Sequence, residues 1–262
     1  MQQAKDFFAE SVELHTLVAE NAASKMETPT LFKSWTINEI VRHLHFWNVM
    51  ATCQITDESR LQDVLKVVGS NLGQLRDIEH NYFDGLSGTS LLTAWYEGIK
   101  TTSDQFSAID PKQRLEWAGP SMSARSSITA RLMETWAHGQ AIYDVLGIDR
   151  VNTDRIKNIV ILGINTFHWT YKVRGETAPG PMPYVALTAP SDDEWAFGDD
   201  NTTDYIKGPA DAFCQVVTQT RNVKDTPLQV RGAVASDWMS KAQCFAGLPE
   251  TPPGVGQRHK TA

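Results

Sequence analysis

The chain has 262 residues, 41% of them apolar, which excludes global disorder and allows one large or two ordinary domains. Lysine and arginine number 24 against 31 aspartates and glutamates, a formal net charge of −7. With no basic run, the chain is a poor partner for nucleic acid or for an anionic membrane.

The opening residues, Met1 to Phe8, lack the long apolar run of a signal peptide. Residues 4–23 place Phe8, Val12, His15 and Val18 at helical spacing. A second helix, 37–53, has a marked start, because Thr36 followed by Glu39 is a capping box. Residues 61–82 carry Leu61, Val64, Leu65, Val68, Leu72 and Leu75 at helical spacing, weakened by Gly69 and Gly73. Ser87, Thr89 and Ser90 offer N-caps for a helix reaching about Phe106, and Asp110-Pro111 ends that region. Trp117 to Ser123 is a loop by its Gly119-Pro120. A helix bearing Glu134 follows and ends near Leu146-Gly147, where glycine suits a C-cap. One more helix, 153–171, closes the helical part, and the apolar stretch near 159–164 is too short to cross a bilayer.

Proline and glycine cluster over 175–183, so a domain boundary is placed between residues 174 and 175. Strands are expected at 184–188, 194–197, 203–207 and 228–231, with helices at 210–220 and 236–245. The organisation read from this is a helical bundle over 1–174, a small α+β domain over 175–247, and a disordered tail over 248–262.

Glu134 and His138 carry the clearest chemical signal. At i and i+4 on a helix they share one face, so a carboxylate oxygen and an imidazole nitrogen can converge on one cation. Their neighbours Leu132, Met133, Trp136 and Ala137 are apolar, unlike those of an ordinary surface pair. A four-helix bundle with an interior metal site needs a donor from a facing helix. His43 and His45 lie about 200° apart on theirs, and His43 shares the apolar face with Ile40, Trp47 and Met50. Periodicity alone favours a hydrogen-bonded core histidine at position 43 over a metal ligand. Arg131, at i−3 from Glu134 and i−7 from His138, lies on their face. It reads evenly as a clamp for a substrate carboxylate or as an ion-pair partner of Glu134. Arg125, Ser121 and Ser123 lie on the preceding loop, within reach of a site or of one another. The three cysteines, Cys53, Cys214 and Cys244, are widely spaced without a C-x-x-C and read as small buried residues of a reducing, cytoplasmic setting.

The segments Trp35-Thr36-Ile37, Ile40-Val41, His43-Leu44 and Ala130 to Gln140 resemble the metal-binding domain of the mycothiol-dependent maleylpyruvate isomerase family, within the DinB-like superfamily. Gly119 to Ala124 and Leu146-Gly147 are similar to an uncharacterised bacterial subgroup of it. The resemblance implies a mainly α fold, a DinB-like four-helix bundle with a smaller C-terminal α+β domain similar to sterol-carrier-like folds. It implies a divalent metal on His43, Glu134 and His138; Arg131, from its place on their helix face, is the catalytic candidate. Zinc is the expected ion; nickel, iron and manganese suit the same ligand types. Two histidines and one glutamate leave a coordination position open, the pattern of a catalytic site. The implied cosubstrate is a low-molecular-weight thiol, and the implied reaction is isomerisation or thiol transfer on a small carboxylated substrate. The isomerases often carry an aspartate three residues after the second histidine; this chain has Ala141 there. Two other classes remain open: a metal-dependent hydrolase using bound water, and a non-catalytic metal- or lipid-binding protein.

Overall fold

The computed structural model describes residues 1–261 and divides into two compact units, one of residues 1–146 and one from Gly147 onward. The division thus falls earlier than the boundary expected between 174 and 175. Gly147, at φ +67, follows the last helix of the first unit, and the two helices after it belong to the second.

The first unit runs α1 (Gln2–Asn21), α2 (Ile37–Thr56), α3 (Glu58–Ser70), α4 (Leu75–Tyr82), α5 (Gly88–Ala108), a two-stranded ribbon of β1 (Arg114–Leu115) and β2 (Met122–Ser123), and α6 (Ala124–Leu146). The single helix expected over 61–82 is interrupted between Ser70 and Leu75, where a short 3-10 turn contains Gly73. Helices α1, α2, α5 and α6 form the bundle: α1 packs on α5 and α6, and α2 packs on the same two. Contacts fix their directions. Gly88 N–H donates to Asn38 Oδ1 and Thr52 bonds Thr102, so α2 and α5 run parallel. Ser103 donates to the Ala4 carbonyl while His15 lies beside Trp95, so α1 is antiparallel to α5. Ser127 meets Gln54 and Arg131 meets Asn48, so α6 is antiparallel to α2. The helices approach closely where Gly139 of α6 faces Leu14 of α1, since a Cβ there would stand 2.9 Å from a leucine methyl.

Helix α2 starts where the sequence says it does. Glu39 N–H donates to Thr36 Oγ1 at 3.1 Å and Thr36 N–H donates to Glu39 Oε2 at 2.8 Å. It is buried on nearly every face, from Ile37 to Phe46 without a break except Glu39. The bundle covers one side. The α3–α4 excursion covers another, through a cluster in which Leu75, Ile78, Tyr82 and Phe83 pack on Phe46 and Met50. Histidines pointing opposite ways on α2 are therefore both buried.

The second unit runs α7 (Lys157–Asn165), α8 (Phe167–Lys172), β3 (Tyr184–Thr188), β4 (Glu194–Phe197), β5 (Tyr205–Pro209), α9 (Ala210–Val217), β6 (Gln229–Arg231) and α10 (Ala233–Met239). Its sheet has the order β4-β3-β5-β6, parallel only between β3 and β5, with Val185 opposite Ile206. Gly163 of α7 lies so near α9 that a Cβ would meet the Phe213 ring at 2.9 Å, which explains why α7 belongs here. Residues 248–261 are not the loose tail that their proline and glycine content suggests. Arg258 donates to the Gln219 carbonyl, Asn222 to that of Pro253, and Gly256 N–H to Asp225. Among the described residues, no helix is long and apolar enough to cross a membrane.

Candidate metal centre

Helix geometry delivers one half of the site. Glu134 and His138 lie one turn apart on α6, and His138 Nε2 stands 3.1 Å from Glu134 Oε2. Tertiary packing delivers the other half, because α2 crosses α6 and turns His43 toward them. The rings of His43 and His138 have centroids 4.7 Å apart. One ligand atom from each of His43, Glu134 and His138 lies within 4.8 Å of the other two, and among the described residues no fourth histidine, cysteine, aspartate or glutamate joins them. Two ligands bound to one tetrahedral zinc at 2.0–2.1 Å stand about 3.3 Å apart. The 3.1 Å pair is near that separation, and all three ligand atoms lie within 4.8 Å of one another.

The protonation states suit a cation. Burial alone would raise the Glu134 carboxyl, but the hydrogen bond from His138 and the charges of His138, Arg131 and His43 outweigh it and hold the pKa at about 2. Burial lowers the His138 pKa against the pull of Glu134, which favours a neutral imidazole. An ionised carboxylate beside a neutral imidazole is the form that ligation requires. The side chains of His43 and His138 are 10% and 12% exposed and that of Glu134 is 27% exposed, so the cluster meets solvent at Glu134.

The α2 side holds a residue the sequence reading did not single out. Glu79 of α4, 1% exposed, brings Oε1 to 2.7 Å from His43 Nδ1. His43 is thus both a hydrogen-bonded core histidine and a candidate ligand, with one nitrogen for each role. A signal for Glu79 was present: it falls on the stripe of Leu75, Ile78 and Tyr82, where an apolar residue belongs.

Aromatic rings wall the cluster. Trp35 stacks on His138, with planes 12° apart, and meets His43 edge-on at 5.2 Å. Phe32 meets His138 edge-on at 4.9 Å. Both come from the turn before α2, in which Trp35 N–H donates to the Phe32 carbonyl and Lys33 and Ser34 have φ of 50° and 59°. Two positive φ values in the centre of a four-residue turn are those of type I′. Trp35 lies in one of the segments that carry the family resemblance; Phe32 carries no periodic signal.

The other candidates lie elsewhere. Arg131 is buried, with Nε donating to Asn48 Oδ1 at 3.1 Å and Nη2 to the Leu44 carbonyl at 3.3 Å. Burial lowers its pKa to about 10 against the carboxylates of Glu134 and Glu79, which leaves it charged. The structure thus engages this guanidinium with α2, and one edge of its fork is taken. His45 points away from the cluster and stacks on Phe83 at 4.5 Å. Ser121 accepts from Arg114, Ser123 pairs with Ser126, and Arg125 is exposed, so the loop spends its polar groups locally. The three cysteines are buried and form no disulfide among the described residues, and Cys53 belongs to the apolar cluster around Phe46.

A family model described as the mycothiol maleylpyruvate isomerase N-terminal domain matches residues 7–143. Two uncharacterised proteins of Mycobacterium tuberculosis, Rv0036c and MT0041, one from each of two strains, are 34% identical to this chain over 252 residues, 96% of either length. The crystal structures of the mycothiol-dependent maleylpyruvate isomerase and of a histidine-to-alanine mutant of it superpose with a TM-score of 0.56. They cover 87% of this chain and 92% of their own at 13% identity, a likeness of fold.

Proposed function

This chain belongs to the family of the mycothiol maleylpyruvate isomerase N-terminal domain, and from that premise we propose that it is a metal-dependent enzyme using a low-molecular-weight thiol. The reaction proposed is an isomerisation or thiol transfer on a small carboxylated electrophile. The observation that carries the reading is the convergence of His43, Glu134 and His138 with no fourth protein donor among the described residues. Three protein ligands leave a position for an exogenous group, whereas a purely structural site is closed by four. Zinc is the proposed ion.

When bound, a divalent cation supplies Lewis acidity that makes a thiol acidic near neutral pH. The chain's own residues set the conditions for this. Glu134 presents a full negative charge, and His138 presents a neutral ring held flat by Trp35. Phe32 and Trp35 shield that ring from water on one side, which strengthens the electrostatics within. The exposure of Glu134 gives a small molecule its approach. Arg131 acts from behind, holding α6 to α2 and keeping a positive charge beside Glu134.

The test is a cobalt-substituted protein titrated with small thiols. A new sulfur-to-metal charge-transfer band is expected, and it should be absent in His138→Ala. If no thiol changes the spectrum and turnover of ester or amide substrates proceeds without one, the site is that of a hydrolase.

A further inference from the structure

We propose that Glu79 is a positioning residue of the metal centre: it holds His43 as the Nδ1–H tautomer, so that the bare Nε2 faces Glu134 and His138. The inference rests on the metal reading above and extends it to the α3–α4 excursion.

Three observations carry it. First, the contact is short and sealed: 2.7 Å between His43 Nδ1 and Glu79 Oε1, with side chains 10% and 2% exposed. Taking a carboxylate out of water is costly unless it is paired, and its partner here is a single ring nitrogen. Second, Glu79 is the one buried residue of α4. Leu75, Ile78 and Tyr82 are only partly covered, yet they anchor the helix on the Phe46 cluster and bring the carboxylate inward. Arg76 fixes the same helix from outside, donating to Glu39 Oε1 at 3.0 Å and lying over the Trp35 ring. A helix of this length whose only buried side chain is charged is placed to deliver that charge. Third, Glu79 is not a member of the three-donor cluster. It touches the far nitrogen of a ligand, the position from which a carboxylate fixes ring orientation and makes the ligating nitrogen more basic.

Zinc affinity, measured by competition with a chelator, tests the proposal. Glu79→Gln keeps shape and loses charge; Glu79→Ala loses both. Affinity should fall by about tenfold in the first and up to about a hundredfold in the second. Arg76→Met serves as the packing control, because it loosens α4 without touching Glu79, and it should stay within about threefold of the unaltered protein. Equal losses in Arg76→Met and Glu79→Gln would assign the effect to the seating of α4 and overturn the proposal. So would unchanged affinity in both Glu79 variants. The ring nitrogens of His43, read by NMR in the unaltered protein, give an answer that needs no variant to fold. Protonated Nδ1 with unprotonated Nε2 is expected without zinc, and with zinc Nδ1 stays protonated while Nε2 shows the shift of a metal-bound nitrogen; protonated Nε2 overturns the proposal. If the folded, unaltered protein takes up no zinc while His43 shows the Nδ1–H form, the metal reading fails and the positioning contact stands.

Discussion

The two histidines of the site are braced from opposite distances. His138 is held by Glu134, one turn away on the same helix and itself a member of the donor set. His43 is held by Glu79, 36 residues away in sequence, on a helix that contributes nothing else to the cluster. The α6 half is therefore set by helix geometry and persists wherever α6 is helical. The α2 half depends on the α3–α4 excursion being seated. On the metal reading proposed above, a bound cation would take the place of the Glu134–His138 hydrogen bond and would leave the His43–Glu79 bond in place. One carboxylate would then serve as a ligand and the other as a fixed support.

The largest effect should come from breaking the local half. Glu134→Gln keeps the volume and the hydrogen bond but removes the charge that the site holds ionised down to about pH 2. Zinc content after dialysis should fall to background, while circular dichroism should report an unchanged helical fold. Arg131 keeps its hydrogen bonds to Asn48 and the Leu44 carbonyl in this variant, so α6 stays seated on α2 although the charge beside Arg131 is lost. Retained zinc in Glu134→Gln would mean that the metal is held mainly from the α2 side, and the asymmetry drawn here would be reversed.

Arg131 joins the two halves, and replacing it separates stability from ligation. Arg131→Met leaves Asn48 Oδ1 and the Leu44 carbonyl without their donor and Glu134 without a nearby cation. Losing a buried, charge-assisted contact of this kind costs about 2–4 kcal/mol. A clear drop in denaturation midpoint is expected, with zinc affinity within several-fold. If stability is unchanged but thiol-dependent turnover collapses, Arg131 is instead the carboxylate clamp that its place on the ligand face suggests.

The same contrast of local and remote governs what the sequence could tell. Glu134 and His138 were legible because i, i+4 spacing is a property of the helix alone, and α2 was legible because Thr36 and Glu39 cap it locally. The bundle followed from periodicity. The division at Gly147 did not, since periodicity shows that α7 is amphipathic and not which core it joins. The second residue on the ring of His43 was equally hidden. Glu79 stood on an apolar stripe, but nothing in a linear pattern says which histidine a misplaced carboxylate will meet. The partner of Arg131 was left open, because two helices cross there and its hydrogen-bond acceptors are on the other one. The proline-rich end misled through composition, since its order comes from hydrogen bonds to distant carbonyls.

The smallest effect tests whether the turn before α2 is part of the remote half. Lys33 and Ser34 occupy the left-handed region at φ 50° and 59°, where a side chain costs roughly 1 kcal/mol or more per residue. Type I′ turns favour glycine at the second central position, so Ser34→Gly should relieve that strain. Part of the gain is lost because glycine adds freedom to the unfolded chain, typically about 0.4–1 kcal/mol. A net stabilisation of a few tenths of a kcal/mol follows, seen as a melting temperature higher by about 1–2 °C. Zinc affinity should not change, because the Pro29–Thr36 bridge and the Trp35-to-Phe32 hydrogen bond still hold the turn that carries the two rings. Weaker zinc binding together with higher stability would give the opposite answer. The strained backbone would then be what presses Trp35 onto His138, and the local half of the site would depend on tertiary packing as much as the remote one.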